Sequence, residues 1–153
     1  MDLPSCGLFR TTIQIGSIEA GRLVYFHNHG DPGPGIYPPQ SWRANRAVYS
    51  DKGITLDDPG LASTLEPLPA EGMYRVLEAF TCCSQNCRTF EPGLLVQLGY
   101  NGNGQALLFV PHWHAEGLHI PERGFKLDDE CLERIERLKV EKAKRSEAPE
   151  TLQ

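Results

Sequence analysis

Histidine and cysteine are the side chains through which this chain could do chemistry. His27 and His29 stand two apart behind an apolar run, in the stretch YFHNHGDPGPGIYPP from Tyr25 to Pro39. A second pair, His112 and His114, follows a later apolar run in FVPHWHAEG. In a strand, residues i and i+2 project to one face, so each His-x-His pair presents its imidazoles together. For the first pair that face would also carry Leu23 and Tyr25. Two imidazoles on one side suit a shared transition metal. If the two strand ends converge, four imidazoles would surround one ion. The plainer alternatives are a turn at Gly30-Asp31-Pro32-Gly33 that leaves the first histidines at an exposed mouth, and a wet strand end over a packed Trp113.

Sulfur forms the other cluster. Cys82, Cys83 and Cys87 fall within six residues of TCCSQNCRTF. The pairs Cys83-x3-Cys87 and Cys82-x4-Cys87 have zinc-loop spacing, and the Ser-Gln-Asn between them is turn chemistry. No second close pair of cysteines follows, so a zinc site at Cys82, Cys83 and Cys87 would need a ligand from Cys6, Cys131 or a distant histidine. Three alternatives stay open for these sulfurs: small buried hydrophobes, a reversible disulfide between Cys83 and Cys87, and a nucleophile paired with histidine.

The stretch GRLVYFHNH, with Gly21, five residues and then His27-x-His29, is similar to the first half of the first cupin motif. That resemblance implies that both histidines are metal ligands and that a glutamate a few residues on supplies a third. Here GDPGPG holds no glutamate, and only Asp31 stands near its place, earlier. The second cupin motif, Pro-x-Gly-x-x-His, does not occur.

Composition removes several function classes. The chain has 153 residues, long enough for one domain with a single core. Its net charge of −5 disfavours a phosphate-backbone binder, and the Trp42, Arg43 and Arg46 cluster is too small for a nucleic-acid face. There is no Gly-x-x-x-x-Gly-Lys-[Ser/Thr] loop and no Gly-x-Ser-x-Gly elbow. The N-terminus MDLPSCGLFRTT lacks the basic and apolar regions of a signal peptide, and no apolar run reaches bilayer length. These features predict a cytoplasmic protein without membrane association. Stable disulfides are not expected there, and five cysteines do not form a disulfide framework.

The elements that must position these groups are short. The 12 prolines and 15 glycines favour many small pieces joined by shaped loops. GLFRTTIQI and GRLVYFHNH read as strands around a GSIEAG turn. GDPGPGIYPP reads as an irregular loop, because prolines remove ladder donors. RANRAVYS fits a strand or a helical turn, GLAST a helical turn, and GMYRVLEAFTCC one long strand. LLVQLGY and QALLFVP flank Asn101-Gly102-Asn103-Gly104, which predicts a β-hairpin. In LDDECLERIERLKV, Cys131, Ile135 and Leu138 recur at helical spacing, with acids leading and bases trailing, which predicts an amphipathic helix.

The expected fold is therefore mainly β: a small twisted barrel or two-layer β domain over residues 1–140, one C-terminal helix, long Pro/Gly loops, and a polar tail over 141–153. The expected function is a binding or adaptor module for a protein or small ligand, contacting it through His27, His29, Tyr37, Trp42 and Arg43. Zinc at Cys82, Cys83 and Cys87 is the candidate cofactor. The alternative is a small metal-dependent enzyme built on His27 and His29.

Overall fold

A computed structural model describes residues 3–30, 33–82 and 88–142. The first half of the chain supplies β1 (Gly7–Arg10), β2 (Leu23–His27), β3 (Gly35–Tyr37), β4 (Pro39–Arg43), β5 (Arg46–Tyr49), β6 (Ile54–Thr55), the helical turn α1 (Pro59–Ala62) and β7 (Glu66–Pro67). The second half supplies β8 (Gly72–Val76), β9 (Phe80–Thr81), β10 (Thr89–Phe90), β11 (Leu95–Tyr100), β12 (Ala106–Phe109), β13 (His112–His114), β14 (Gly117–His119), β15 (Phe125–Lys126), a 3₁₀ helix (Asp129–Arg134) and β16 (Ile135–Arg137). The protein is mainly β, and no closed barrel forms among the described residues. Two five-stranded antiparallel sheets are present, ordered β6-β3-β2-β1-β7 and β15-β12-β11-β8-β16.

The first sheet is covered on both faces, which explains the unbroken apolar run in Leu23-Val24-Tyr25-Phe26. Leu8, Leu23 and Tyr25 pack into a core shared with Val96, Leu98 and Leu108 of the second sheet. Phe9, Val24, Phe26 and Ile36 turn to the other face, under Ile15, Ile18, Leu56 and Leu65. His27 continues the Leu23 and Tyr25 parity, as the strand period demands.

Three expectations are corrected. Residues 30–39 are not wholly irregular, because Gly35–Tyr37 forms β3, paired with β2 and β6. Pro34 and Pro38 flank this strand, so no ladder donor is lost inside it, and Ile36 is wholly buried. The long strand over Gly72–Cys83 breaks after Val76. Leu77 turns out to 47% exposure, and Phe80–Thr81 pairs instead with Thr89–Phe90.

The third correction concerns the C-terminus. The amphipathic helix is replaced by the 3₁₀ turn and β16, whose Ile135, Glu136 and Arg137 pair with Val76, Arg75 and Tyr74. Cys131 and Ile135 are buried while Leu132 and Leu138 are only partly so. The four-residue spacing that mimics a helix comes from a tight turn followed by a strand. What decides the outcome is the edge of β8, whose backbone groups would otherwise lack partners. Arg75 adds an ion pair to Glu136 at 2.8 Å.

The hairpin over Asn101–Gly104 forms as expected, with Gln97 opposite Phe109 and Tyr100 opposite Ala106. Its turn places Gly104 at φ +69°, and the Gly104 N–H donates to the Asn101 carbonyl at 2.9 Å. The Asn101 side chain accepts from the backbone of Asn103 and Gln105, an Asx turn that fixes the loop.

A second hairpin, β4–β5, lies against the second sheet and was not expected. Its two-residue turn, Ala44 and Asn45, has positive φ at both positions, the type I′ geometry that suits the twist of a hairpin. Asn45 Nδ2 donates to Gln97 Oε1 (3.0 Å) and to the Pro121 carbonyl (2.9 Å), and Gln97 Nε2 donates to the Ala44 carbonyl (3.0 Å). Gly99 is required beneath it, since a Cβ there would stand 2.7 Å from the Asn45 carbonyl oxygen. Glu71 holds the returning strand by accepting the Ala47 N–H at 2.9 Å.

Burial pushes the Glu71 carboxyl above its ordinary range, opposed by the Ala47 bond and by Arg46. An acid whose folded pKa is raised binds its proton more tightly folded than unfolded. Its contribution to stability is therefore full at low pH and falls as pH rises from the ordinary carboxylate range through the raised value. The difference in urea midpoint between Glu71→Gln and the wild type should widen in favour of the variant as pH rises from the ordinary carboxylate range. Parallel pH profiles would show that Glu71 does not carry this linkage.

Candidate metal centre

The centre begins with strand register. β1 and β2 pair with Gly7 opposite Phe26 and Leu8 opposite Tyr25. One step further along this ladder sets Cys6 opposite His27. Cross-strand neighbours share a face, so thiol and imidazole meet. Cys6 Sγ lies 3.3 Å from His27 Nδ1 and 3.7 Å from His29 Nδ1. The two imidazole centroids are 4.2 Å apart at 61°. One ligand atom from each residue falls within 4.8 Å of the others.

Asn28 holds the arrangement together. Its N–H donates to Cys6 Sγ at 3.3 Å, its Nδ2 donates to the Pro4 carbonyl at 3.1 Å, and its Oδ1 faces both Cys6 Sγ and His29 Nδ1. The segment over residues 4–6 is thus laced to the turn after β2. Gly30 allows the chain to bend away: a Cβ there would meet the Gly33 carbonyl oxygen at 2.8 Å, the Tyr37 hydroxyl at 3.5 Å and the His27 ring at 3.6 Å. Cys6 and His27 are half-buried, and His29 is exposed.

A tetrahedral zinc with its usual Zn–S and Zn–N bonds separates sulfur from nitrogen by about 3.6 Å. The two S···N distances bracket that value. A thiolate with two neutral imidazoles is a borderline-soft donor set, suited to zinc, copper or cobalt. Backbone N–H donation to sulfur, as from Asn28, is the outer support that a metal-bound thiolate uses.

The other sequence candidates lie elsewhere. Cys82 is buried at 2% exposure, and its carbonyl faces Cys131 Sγ. Cys83, Cys87 and Asp31 lie outside the described residues. His112 and His114 do not join His27 and His29. They sit on the exposed β13–β14 hairpin, where the His114 and His119 ring centroids lie 4.9 Å apart with the rings tilted at 51°. Trp113 is 84% exposed, so the packed-indole expectation fails. Tyr37 flanks the centre through Gly30, whereas Trp42 and Arg43 belong to the β4–β5 hairpin and Arg43 is exposed. Cys6 is the residue that sequence reasoning missed as a partner of these histidines. Twelve residues separate β1 from β2, so their register, the signal that would have found it, is not visible in the chain. Comparison with family models, with curated proteins and with solved structures finds no match to this chain.

Proposed function

We propose that the protein is a metal-binding β module that holds one zinc ion through Cys6 Sγ and the Nδ1 atoms of His27 and His29. The observation that carries this reading is the convergence of the three donor atoms within 4.8 Å of one another. Among the described residues three ligands converge, at a rim where His29 is exposed, and a fourth position there would take water, a substrate or a partner's donor. That open position favours the metal-dependent enzyme built on His27 and His29 over a closed structural site. In such a site the ion polarises a bound carbonyl or phosphoryl oxygen, or activates water. A cytoplasmic setting would suit the ligand set, because its thiol would stay reduced.

The test is elemental analysis of freshly purified protein, followed by replacement with cobalt(II). One zinc per chain is expected, with a sulfur-to-cobalt charge-transfer band that vanishes in Cys6→Ser. Chelation should leave the strand circular-dichroism spectrum in place, because the two cores do not depend on the ion. Protein that takes up neither zinc nor cobalt, or a cobalt spectrum unchanged in Cys6→Ser, would exclude the centre.

A further inference from the structure

We propose that Trp42 is the stacking floor of a saccharide-binding cleft, separate from the metal centre. The indole is 45% exposed, yet it is held in one pose. Its Nε1–H donates to the Tyr100 carbonyl at 2.9 Å, and the hairpin that carries it is pinned by Gln97 and Glu71. Those two are among only three buried polar or charged side chains of the described residues. Burying polar groups costs free energy unless each is bonded, so a fold that uses two of them to fix one hairpin is positioning that hairpin. Ala44 at φ +50° adds a strained backbone position at the same turn.

Clefts open around the indole. One of about 430 Å³ runs past Ile18, Arg22, Pro38 and Pro39. A second of about 310 Å³ is floored by Tyr100, Leu107 and Phe109. A third of about 580 Å³ extends past Gln97 to Ile120. Their volumes fall within the range of small-ligand sites. Glu122 is exposed at the rim of the second and third.

The chemistry selects among flat ligands. The indole offers its faces only, since its N–H is committed inward to Tyr100. Proline-rich peptides need donors to their carbonyls as well as an aromatic wall, and here the obvious donor is spent. Nucleotides bring phosphate to a chain of net charge −5, where Arg22 of the first cleft is already engaged by Glu19 at 3.8 Å and by Asn103 Oδ1 at 2.9 Å, and Glu122 stands at the rim of the others. A pyranose ring meets both features: its C–H face lies on an aromatic plane, and its hydroxyls donate to a rim carboxylate.

The experiment is an NMR titration of the labelled full chain with cellotetraose, maltotetraose and chitotetraose in turn, following the indole N–H resonances. Saturable shifts of the Trp42 resonance are expected with at least one of the three. Affinity should fall at least about tenfold in Trp42→Ala, fall less in Trp42→Phe and Glu122→Gln, and hold in Trp113→Ala, whose indole lies on the β13–β14 hairpin. Trp42→Phe keeps a stacking face, and its amide spectrum reports whether the hairpin stays folded. Absence of shifts with all three saccharides overturns the proposal. So does binding that Trp42→Ala leaves unchanged, or a decaproline peptide that binds at Trp42 where the saccharides do not.

Discussion

Phe26→Ala should lower the free energy of unfolding by about 3–5 kcal/mol, the largest single-residue loss expected in the first sheet. Phe26 is wholly buried in the middle strand, opposite Ile36 on one side and Gly7 on the other. Its ring meets Phe9 edge to face, with centroids 5.7 Å apart at 84°. Truncation removes both the transfer gain and that aromatic contact, and leaves a cavity among Val24, Ile36 and Leu65 that strands on either side cannot close. The measurement is urea unfolding in the presence of a chelator, so that metal binding does not enter the result. A loss below about 1 kcal/mol would mean that the outer face of this sheet is not packed as described. The same residue bears on function, since its neighbour His27 is aimed by the parity that Phe26 anchors.

His27→Ala should weaken zinc binding by more than about 100-fold, since loss of an outer-shell partner alone commonly costs 10–100-fold. Histidine and cysteine bind metal in their deprotonated forms, so affinity falls as pH drops and protons compete. Removing one imidazole removes one competing proton. The plot of log affinity against pH should therefore be shallower for His27→Ala than for the wild type in the acid range. Asn28→Ala, which loses the Nδ2 bond to the Pro4 carbonyl that laces the segment carrying Cys6 to the turn, should weaken binding by about tenfold or more without removing a donor. Competition with a chromophoric chelator over a range of pH reads all three. His112→Ala is the control, and equal losses in it and in His27→Ala would place the ion elsewhere.

The parts of this protein that were legible in the sequence are those settled within a few residues. The Asn101–Gly104 turn lies between two apolar runs, and local backbone preference decides it. The period of two over Leu23–His27 told which residues share a face, and His27, two beyond Tyr25 in β2, meets Cys6 on that side. The C-terminal segment failed because helical spacing and a turn-plus-strand place Cys131 and Ile135 alike, while the open edge of β8 lies some sixty residues away in the chain. The β4–β5 hairpin was missed for a related reason. Its Ala-Asn turn lacks the glycine that marks such turns, and it is held by Gln97, Glu71 and Pro121 from the other half of the protein. The candidate metal centre was half legible: the two histidines are local, and their thiol partner comes from a strand register.

The strands of the first sheet all come from residues before 68, and those of the second from residues after 71. Such a division ordinarily invites a hinge at the joint. Here the joint is riveted: the Tyr100 hydroxyl donates to the Pro69 carbonyl and the Tyr74 hydroxyl to the Ala70 carbonyl, each at 2.6 Å, while the Leu68 N–H reaches back to Leu8. The β4–β5 hairpin crosses the same seam in the opposite direction, chain from the first half lying on the second sheet. Mechanically the two halves form a lap joint rather than an elbow. Load applied to either sheet passes through the seam as shear on several hydrogen bonds at once, so an ion seated at Cys6 has no lever arm with which to swing one half against the other.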